Sequence, residues 1–224
     1  MRTILAALAA LPMIGATSAP AQPVVVELFT SQGCSSCPPA DRAVAKAADR
    51  PDVIALSFGV TYWDNLGWKD TFAREEFTAR QYAYAKALGG GAYTPEVVAG
   101  GRVAGVGETP GAVASLIARA RTQSLASVTL ADGRAQVGAG VAPKGGADVW
   151  LVRYDPRTLQ VPVKAGENNG KTLPIRNVVR HLQRLGDWSG QPASFAVPAV
   201  ADGLKTVVLV QARHGGPILA AAAV

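Results

Sequence analysis

The chain has 224 residues, of which 22 are Lys or Arg and 16 are Asp or Glu, for a formal charge of +6. The basic residues, Arg119 to Lys171 included, are scattered rather than set in a stripe interleaved with aromatics, which argues against a nucleic-acid surface. After the leader no run approaches the roughly 20 unbroken apolar residues of a transmembrane helix, so no stable membrane insertion is expected.

Residues 1–21 read as an export signal: Arg2 is the positive start, Ile4 to Leu11 the short apolar stretch, and Ala19-Pro20-Ala21 a small-x-small cleavage site. The remaining chain is expected in a periplasm or outside the cell, where disulfides persist. Val24 to Phe29 is a near-continuous apolar run of the kind that forms a buried central strand. Cys34-Ser35-Ser36-Cys37 follows, and these are the only two cysteines of the chain. Ala40 to Ala48 is helical in composition, which places two thiols at the mouth of a helix. There the helix dipole and free N–H groups favour a thiolate at Cys34, and the spacing lets Cys37 resolve a mixed disulfide. Because the residue before a proline avoids helical angles, Pro38-Pro39 is expected to delay the helix by a turn.

A tetrahedral metal site would need two more ligands. His181 and His214 are distant in sequence, and Met1 and Met13 fall within the leader, so no metal or other cofactor is expected. A permanent short-loop disulfide remains the alternative to redox chemistry.

Val53 to Val60 reads as a second apolar strand, and Phe72 to Leu88 as a helix stopped by Gly89-Gly90-Gly91. Pro95 to Ala99 and Arg102 to Val106 read as a hairpin, then Gly111 to Arg121 as a helix, giving the order β-α-β-α-β-β-α. From Ser124 onward short apolar runs alternate with Asp-Gly, Gly-Gly and Asp-Pro punctuation, the grammar of a sandwich-like all-β region. Within it Asp155-Pro156 separates one run from the next, and Val178 to Leu185 fits a helix or a strand. The expected division is therefore a signal over 1–21, an α/β domain over 22–122 and a β-rich C-terminal domain over 123–224.

The first half resembles a thioredoxin fold, with Tyr93-Thr94-Pro95 in the place of the residue and cis-proline that open the hairpin and face the disulfide. More closely, the chain resembles an uncharacterised family of secreted bacterial proteins, a domain of unknown function with a thioredoxin-like fold. The segments that carry this likeness are Glu27 to Asp41, Tyr62 to Asp70, Tyr93-Thr94-Pro95, Gly166 to Gly170 and Asn177 to Arg180. In that family a His and an Asp commonly stand where this chain has Gly59 and Thr61.

By the thioredoxin likeness Cys34 is the attacking thiolate on the solvent side, Cys37 the resolving thiol, and Pro95 lies against the pair. The expected partners are protein or small-molecule thiols and disulfides. Glu27, mid-strand in an apolar run, is either a buried acid that shuttles a proton for Cys37 or one half of an ion pair. Trp63, Trp68, Tyr93 and Thr94, with Tyr62, are candidate walls of a substrate groove, against the plainer reading of aromatic packing. Gly166 to Gly170 reads as a turn. The functional reading is an exported thiol–disulfide oxidoreductase, and the alternative is a non-catalytic binding module with a structural disulfide.

Overall fold

The computed structural model describes residues 22–199 and 203–224, so the signal read over 1–21 lies outside the described residues. The N-terminal elements run in the expected order: β1 (Val24–Thr30), α1 (Cys37–Ala47), β2 (Val53–Gly59), α2 (Glu75–Leu88), β3 (Glu96–Ala99), β4 (Val103–Gly105) and α3 (Pro110–Ala120). β1 and β2 are buried throughout and pair in parallel across α1, from Val24 opposite Val53 to Thr30 opposite Gly59. β3 runs antiparallel to β1 and turns back into β4.

α2 starts three residues later than its apolar pattern suggests. The Asp70 carboxylate accepts from the N–H groups of Phe72 (2.7 Å) and Ala73 (3.2 Å), which holds that stretch in a turn. Gly89 ends the helix at φ 74°, where a side chain would be strained.

The remaining strands are β5 (Val128–Ala131), β6 (Arg134–Val137), β7 (Ala147–Pro162), β8 (Thr172–Trp188), β9 (Ala193–Ala196), β10 (Lys205–Ala212) and β11 (Ile218–Ala223). One open reading is resolved here and one expectation is corrected. The ambiguous segment from Val178 to Leu185 is strand, inside β8. Asp155-Pro156 does not end one strand and begin another but sits in a register shift of a single long strand, β7, between Asp155 and Thr158. A bulge absorbs the proline, whose missing N–H would otherwise break the ladder.

The large sheet has the order β11-β10-β7-β8-β2-β1-β3-β4. It therefore crosses the boundary expected at residue 122, and the C-terminal strands do not form a sheet of their own apart from β5-β6-β9. The joint between halves is a parallel contact of β2 with β8 at Ser57 and Val178. Side chains reinforce it: Ser57 Oγ donates to Arg176 O at 3.0 Å, and Asn177 Nδ2 donates to Ala55 O at 2.8 Å.

Strand alternation divides the core between the two faces of this sheet. Val24, Val26 and Leu28 pack under α1 and α3. Val25, Phe29, Leu56 and Phe58 pack under Phe77 and Tyr84 of α2, in one cluster with Val152, Val179, Val207 and Leu209 from the C-terminal strands. The small sheet lays Val128, Ala135 and Val137 on Val149, Leu151, Val208 and Val210, the two-layer packing expected of the β-rich region. The far end of the β7–β8 hairpin packs Val161, Val163 and Leu173 against Trp68 and Phe72, which carries its tip to the C-terminal end of β1.

Candidate functional site

β1 delivers the chain to the loop Ser31-Gln32-Gly33, and the loop delivers Cys34 and Cys37 to the start of α1 as a disulfide, with Cα atoms 5.5 Å apart. Tight turns fix the loop: Cys34 N–H donates to Ser31 O at 3.1 Å and Cys37 N–H to Cys34 O at 3.3 Å. The helix begins at Cys37 with Ser36 as its N-cap, so the two prolines do not delay it. They occupy the first turn, where a missing N–H costs nothing.

That placement changes the expected chemistry. Pro38 and Pro39 have no N–H, and the N–H of Cys37 is already engaged, so the first turn has no free backbone donors to offer a thiolate. The helix dipole and the Ser36 hydroxyl, 3.4 Å from Cys34 Sγ, remain to serve Cys34. Cys34 is also not on the solvent side. Both cysteines are fully buried, whereas Ser35 and Ser36 are exposed.

The β7–β8 hairpin tip, read from sequence as a plain turn, closes on the backbone of this loop. Buried Asn168 donates from Nδ2 to Cys34 O (2.8 Å) and Gln32 O (3.0 Å), and its Oδ1 accepts from Lys171 Nζ at 3.0 Å. Glu167 accepts from the Ser35 N–H at 3.0 Å, and the Ser35 hydroxyl together with this N–H holds its carboxyl below the usual range. Nothing in the local pattern around residues 166–170 points to this contact, because the partners lie more than 130 positions away.

A second buried layer grips the same loop from the β2–α2 connection. Gln32 N–H donates to Asp70 Oδ2 at 2.7 Å, Trp68 Nε1 donates to Gln32 Oε1 at 2.9 Å, and Gln32 Nε2 donates to Thr71 Oγ1 at 2.9 Å. Burial pushes the Asp70 carboxyl up to about 6, against the pull of its backbone N–H donors. Asp41, one helical turn beyond Cys37, is buried too, and desolvation lifts its carboxyl to about 7.

The predicted groove residues divide by position. Trp63 donates from Nε1 to Thr94 Oγ1 at 2.7 Å, and its Cβ would lie 3.6 Å from a Cβ built on Gly33. Trp63 thus joins the disulfide loop to the Thr94-Pro95 segment, whose peptide bond is cis and whose proline is buried. Trp68 is a post for Gln32 and packs on the hairpin. Tyr93 is 40% exposed and offers its carbonyl to Gln81 Nε2 at 2.7 Å. Tyr62 stacks on Tyr82, with ring centroids 6.4 Å apart, and its buried hydroxyl has no partner.

Glu27 is the ion-pair member of its two readings. Its carboxylate receives Arg80 Nε at 2.8 Å and Arg80 Nη2 at 3.1 Å, together with the Tyr84 hydroxyl. Arg80 lies 5.1 Å over the Tyr84 ring, and the paired charges raise its proton affinity further. Alternation turns Glu27 toward α2, whereas the cysteines start α1 on the opposite face, so Glu27 is not beneath the disulfide. At Gly59, a Cβ would lie 2.8 Å from Ala73 N, so the close pass of the Phe72-Ala73 backbone leaves no room for a side chain there.

Among the described residues no group of three or more His, Cys, Asp or Glu side chains is arranged to hold a metal ion. Nor, among the described residues, is any helix long and apolar enough to cross a membrane.

A mixed α/β chain with a Cys-x-x-Cys disulfide at a helix start is the class that this fold and site define. Residues 25–211 match the family described as "Protein of unknown function (DUF1223)", and the chain belongs to that family. Protein AGR_C_4864 from Agrobacterium tumefaciens, known from its X-ray crystal structure, is 35% identical, with a TM-score of 0.75 over 92% of this chain and 96% of that one. HBP35 of Porphyromonas gingivalis has a similar fold at 14% identity, with a TM-score of 0.61 over 91% of this chain and 75% of that one. No curated protein matches the chain.

Proposed function

We propose that the chain is an exported, thioredoxin-like thiol–disulfide oxidoreductase that works through Cys34 and Cys37. The observation that carries the reading is the vicinal disulfide at the C-terminal end of a central strand, between the hairpin tip and the Trp63–Thr94 contact. Two separate stretches of chain, the hairpin tip and the β2–α2 connection, converge on a loop of a few residues, more order than a short-loop staple requires.

In the exchange a substrate thiolate attacks Cys34 Sγ. The Cys34–Cys37 bond breaks, and Cys37 leaves with the electron pair. A second substrate thiolate then attacks the substrate sulfur of the mixed disulfide and frees Cys34. The substrate loses two electrons to the cysteine pair, and every step runs equally in reverse. Both cysteines are buried, so the attack needs an opening at Cys34, and we assign that movement to the Gly166–Gly170 tip bonded to the Cys34 carbonyl. Tyr93 and Thr94 then border the exposed face as the nearest substrate contacts.

The same burial favours a second reading, a binding module in which the disulfide is a permanent staple. Equilibration with dithiothreitol or glutathione buffers separates the two. A working couple is expected between about −120 and −270 mV, and a potential below about −300 mV marks a staple. In the working case, the Cys34 thiolate of Cys37→Ser attacks disulfide substrates and accumulates as a mixed disulfide, the other substrate sulfur leaving as a thiolate, and Cys34→Ser does not.

A further inference from the structure

We propose that Asp41 is the group that exchanges a proton with Cys37 when the Cys34–Cys37 bond opens and closes, an inference that rests on the thiol–disulfide reading above. Asp41 follows Cys37 by four residues on α1, so the two side chains share a helix face with Cβ atoms about 5–6 Å apart. That span suits a transfer that is direct or passes through one water.

The face is turned inward. Cys37 is fully buried and Asp41 is 6% exposed, above Thr30 at the end of β1. Thr30 stands on the same face of β1 as Val24, Val26 and Leu28, the face that α1 covers. Asp41 Oδ1 and Thr30 Oγ1 are both buried and act on one another, but neither has any other partner, an expensive state for a group with only a packing role. Glu27, by contrast, has its carboxylate filled by Arg80 and Tyr84 on the other face.

The charged surroundings suit a carboxyl that is protonated while the disulfide is closed. Desolvation lifts Asp41 to about 7 and the nearby Asp70 carboxylate adds to it, while the Thr30 hydroxyl and the Arg42 guanidinium pull the other way. A carboxyl poised near neutrality gives and takes a proton at little cost. In reduction, dithiothreitol thiolate attacks Cys34 Sγ and Cys37 departs with the electron pair. Asp41 passes its proton to Cys37 and is reprotonated from solvent. The second dithiothreitol thiolate then releases Cys34 as the reagent closes to its cyclic disulfide, which completes a two-electron transfer. In re-oxidation the Asp41 carboxylate takes the Cys37 proton.

The test is the pH profile of disulfide reduction by dithiothreitol, followed from pH 5 to 9 and corrected for reagent thiolate, in the wild type and in Asp41→Asn. The wild type should show an inflection near 7. The variant should lose it and react about a hundredfold more slowly below that pH, the low end of the usual range for general acid–base catalysis. A variant profile that keeps the inflection overturns the proposal, with the redox reading left standing. A disulfide that dithiothreitol leaves intact at every pH overturns both.

Should Asp41→Asn not fold, carbon-13 titration of the Asp41 carboxyl in the wild-type protein decides the matter. Its midpoint should move upward on reduction, because a neighbouring thiolate opposes a second negative charge. The same midpoint in both redox states overturns the proposal.

Discussion

Asp41 is a buried acid with no counter-charge bonded to it, and this has a thermodynamic signature apart from any catalysis. Its carboxyl is raised from the ordinary 3.8 to about 7, so the folded chain binds a proton that the unfolded chain has already released. Folding stability therefore falls as pH rises from about 4 to about 7, and the loss persists above that. Asp41→Asn, which never ionises, should be more stable than the wild type at pH 8 by up to about 4 kcal/mol, at about 1.36 kcal/mol for each pH unit between those two values. The gain should vanish near pH 3.5. Urea midpoints at the two pH values measure it, and an equal gain at both would assign the effect to packing. Glu27 is the opposite case: its buried charge is matched by Arg80, and removing either partner strands the other.

At the scale of the element, the hairpin β7–β8 matters less for its strands than for its tip. Asn168 donates to two carbonyls of the disulfide loop, and Asn168→Ala would leave Gln32 O buried and unpaired at about 1–3 kcal/mol and Cys34 O with only the Cys37 N–H. The tip should then lift more often. Reduction of the Cys34–Cys37 bond by dithiothreitol should accelerate about tenfold, the equivalent of ~1.4 kcal/mol in the opening equilibrium. An unchanged reduction rate together with an unchanged melting temperature would show that the tip does not guard the sulfurs.

How far the sequence reveals this site follows from the range of each interaction. The strand, the two thiols and the helix are written in neighbouring residues, and Thr94-Pro95 is marked by its motif. Apolar alternation also encodes which way Glu27 points, although the run from Val24 to Phe29 is too uniformly apolar to display it. Asn168 and Asp70 are polar residues in connecting loops, indistinguishable in composition from solvated ones. Only the folding of the hairpin over residue 34, and of the β2–α2 connection under residue 32, gives them roles. Pro38-Pro39 misleads for another reason. A residue preceding proline avoids the helix in general, yet the first turn is the one place where two prolines are tolerated.

At the scale of the molecule, β8 lies beside β2 in the middle of the large sheet, so the two compositional halves share one sheet and one of its cores. Cutting after residue 122 would uncover the edge of β2 and strip Val152, Val179, Val207 and Leu209 from the cluster under α2. A fragment of residues 22–122 is therefore expected to lack cooperative urea unfolding and to associate through its bared strand. A monomeric fragment with a sigmoidal unfolding curve would restore an independent N-terminal unit.

The hairpin tip over Cys34 also sets an order of events in the life of the chain. A polypeptide emerging N-terminus first has both thiols in the open while the tip that will cover them is still more than a hundred residues behind. An oxidant meets the pair at that stage without obstruction, and the bond is sealed in only when the hairpin arrives. Nascent and mature molecules then differ not in their cysteines but in who can reach them, and any reductant of the mature form must first contend with a latch made after the bond it closes on.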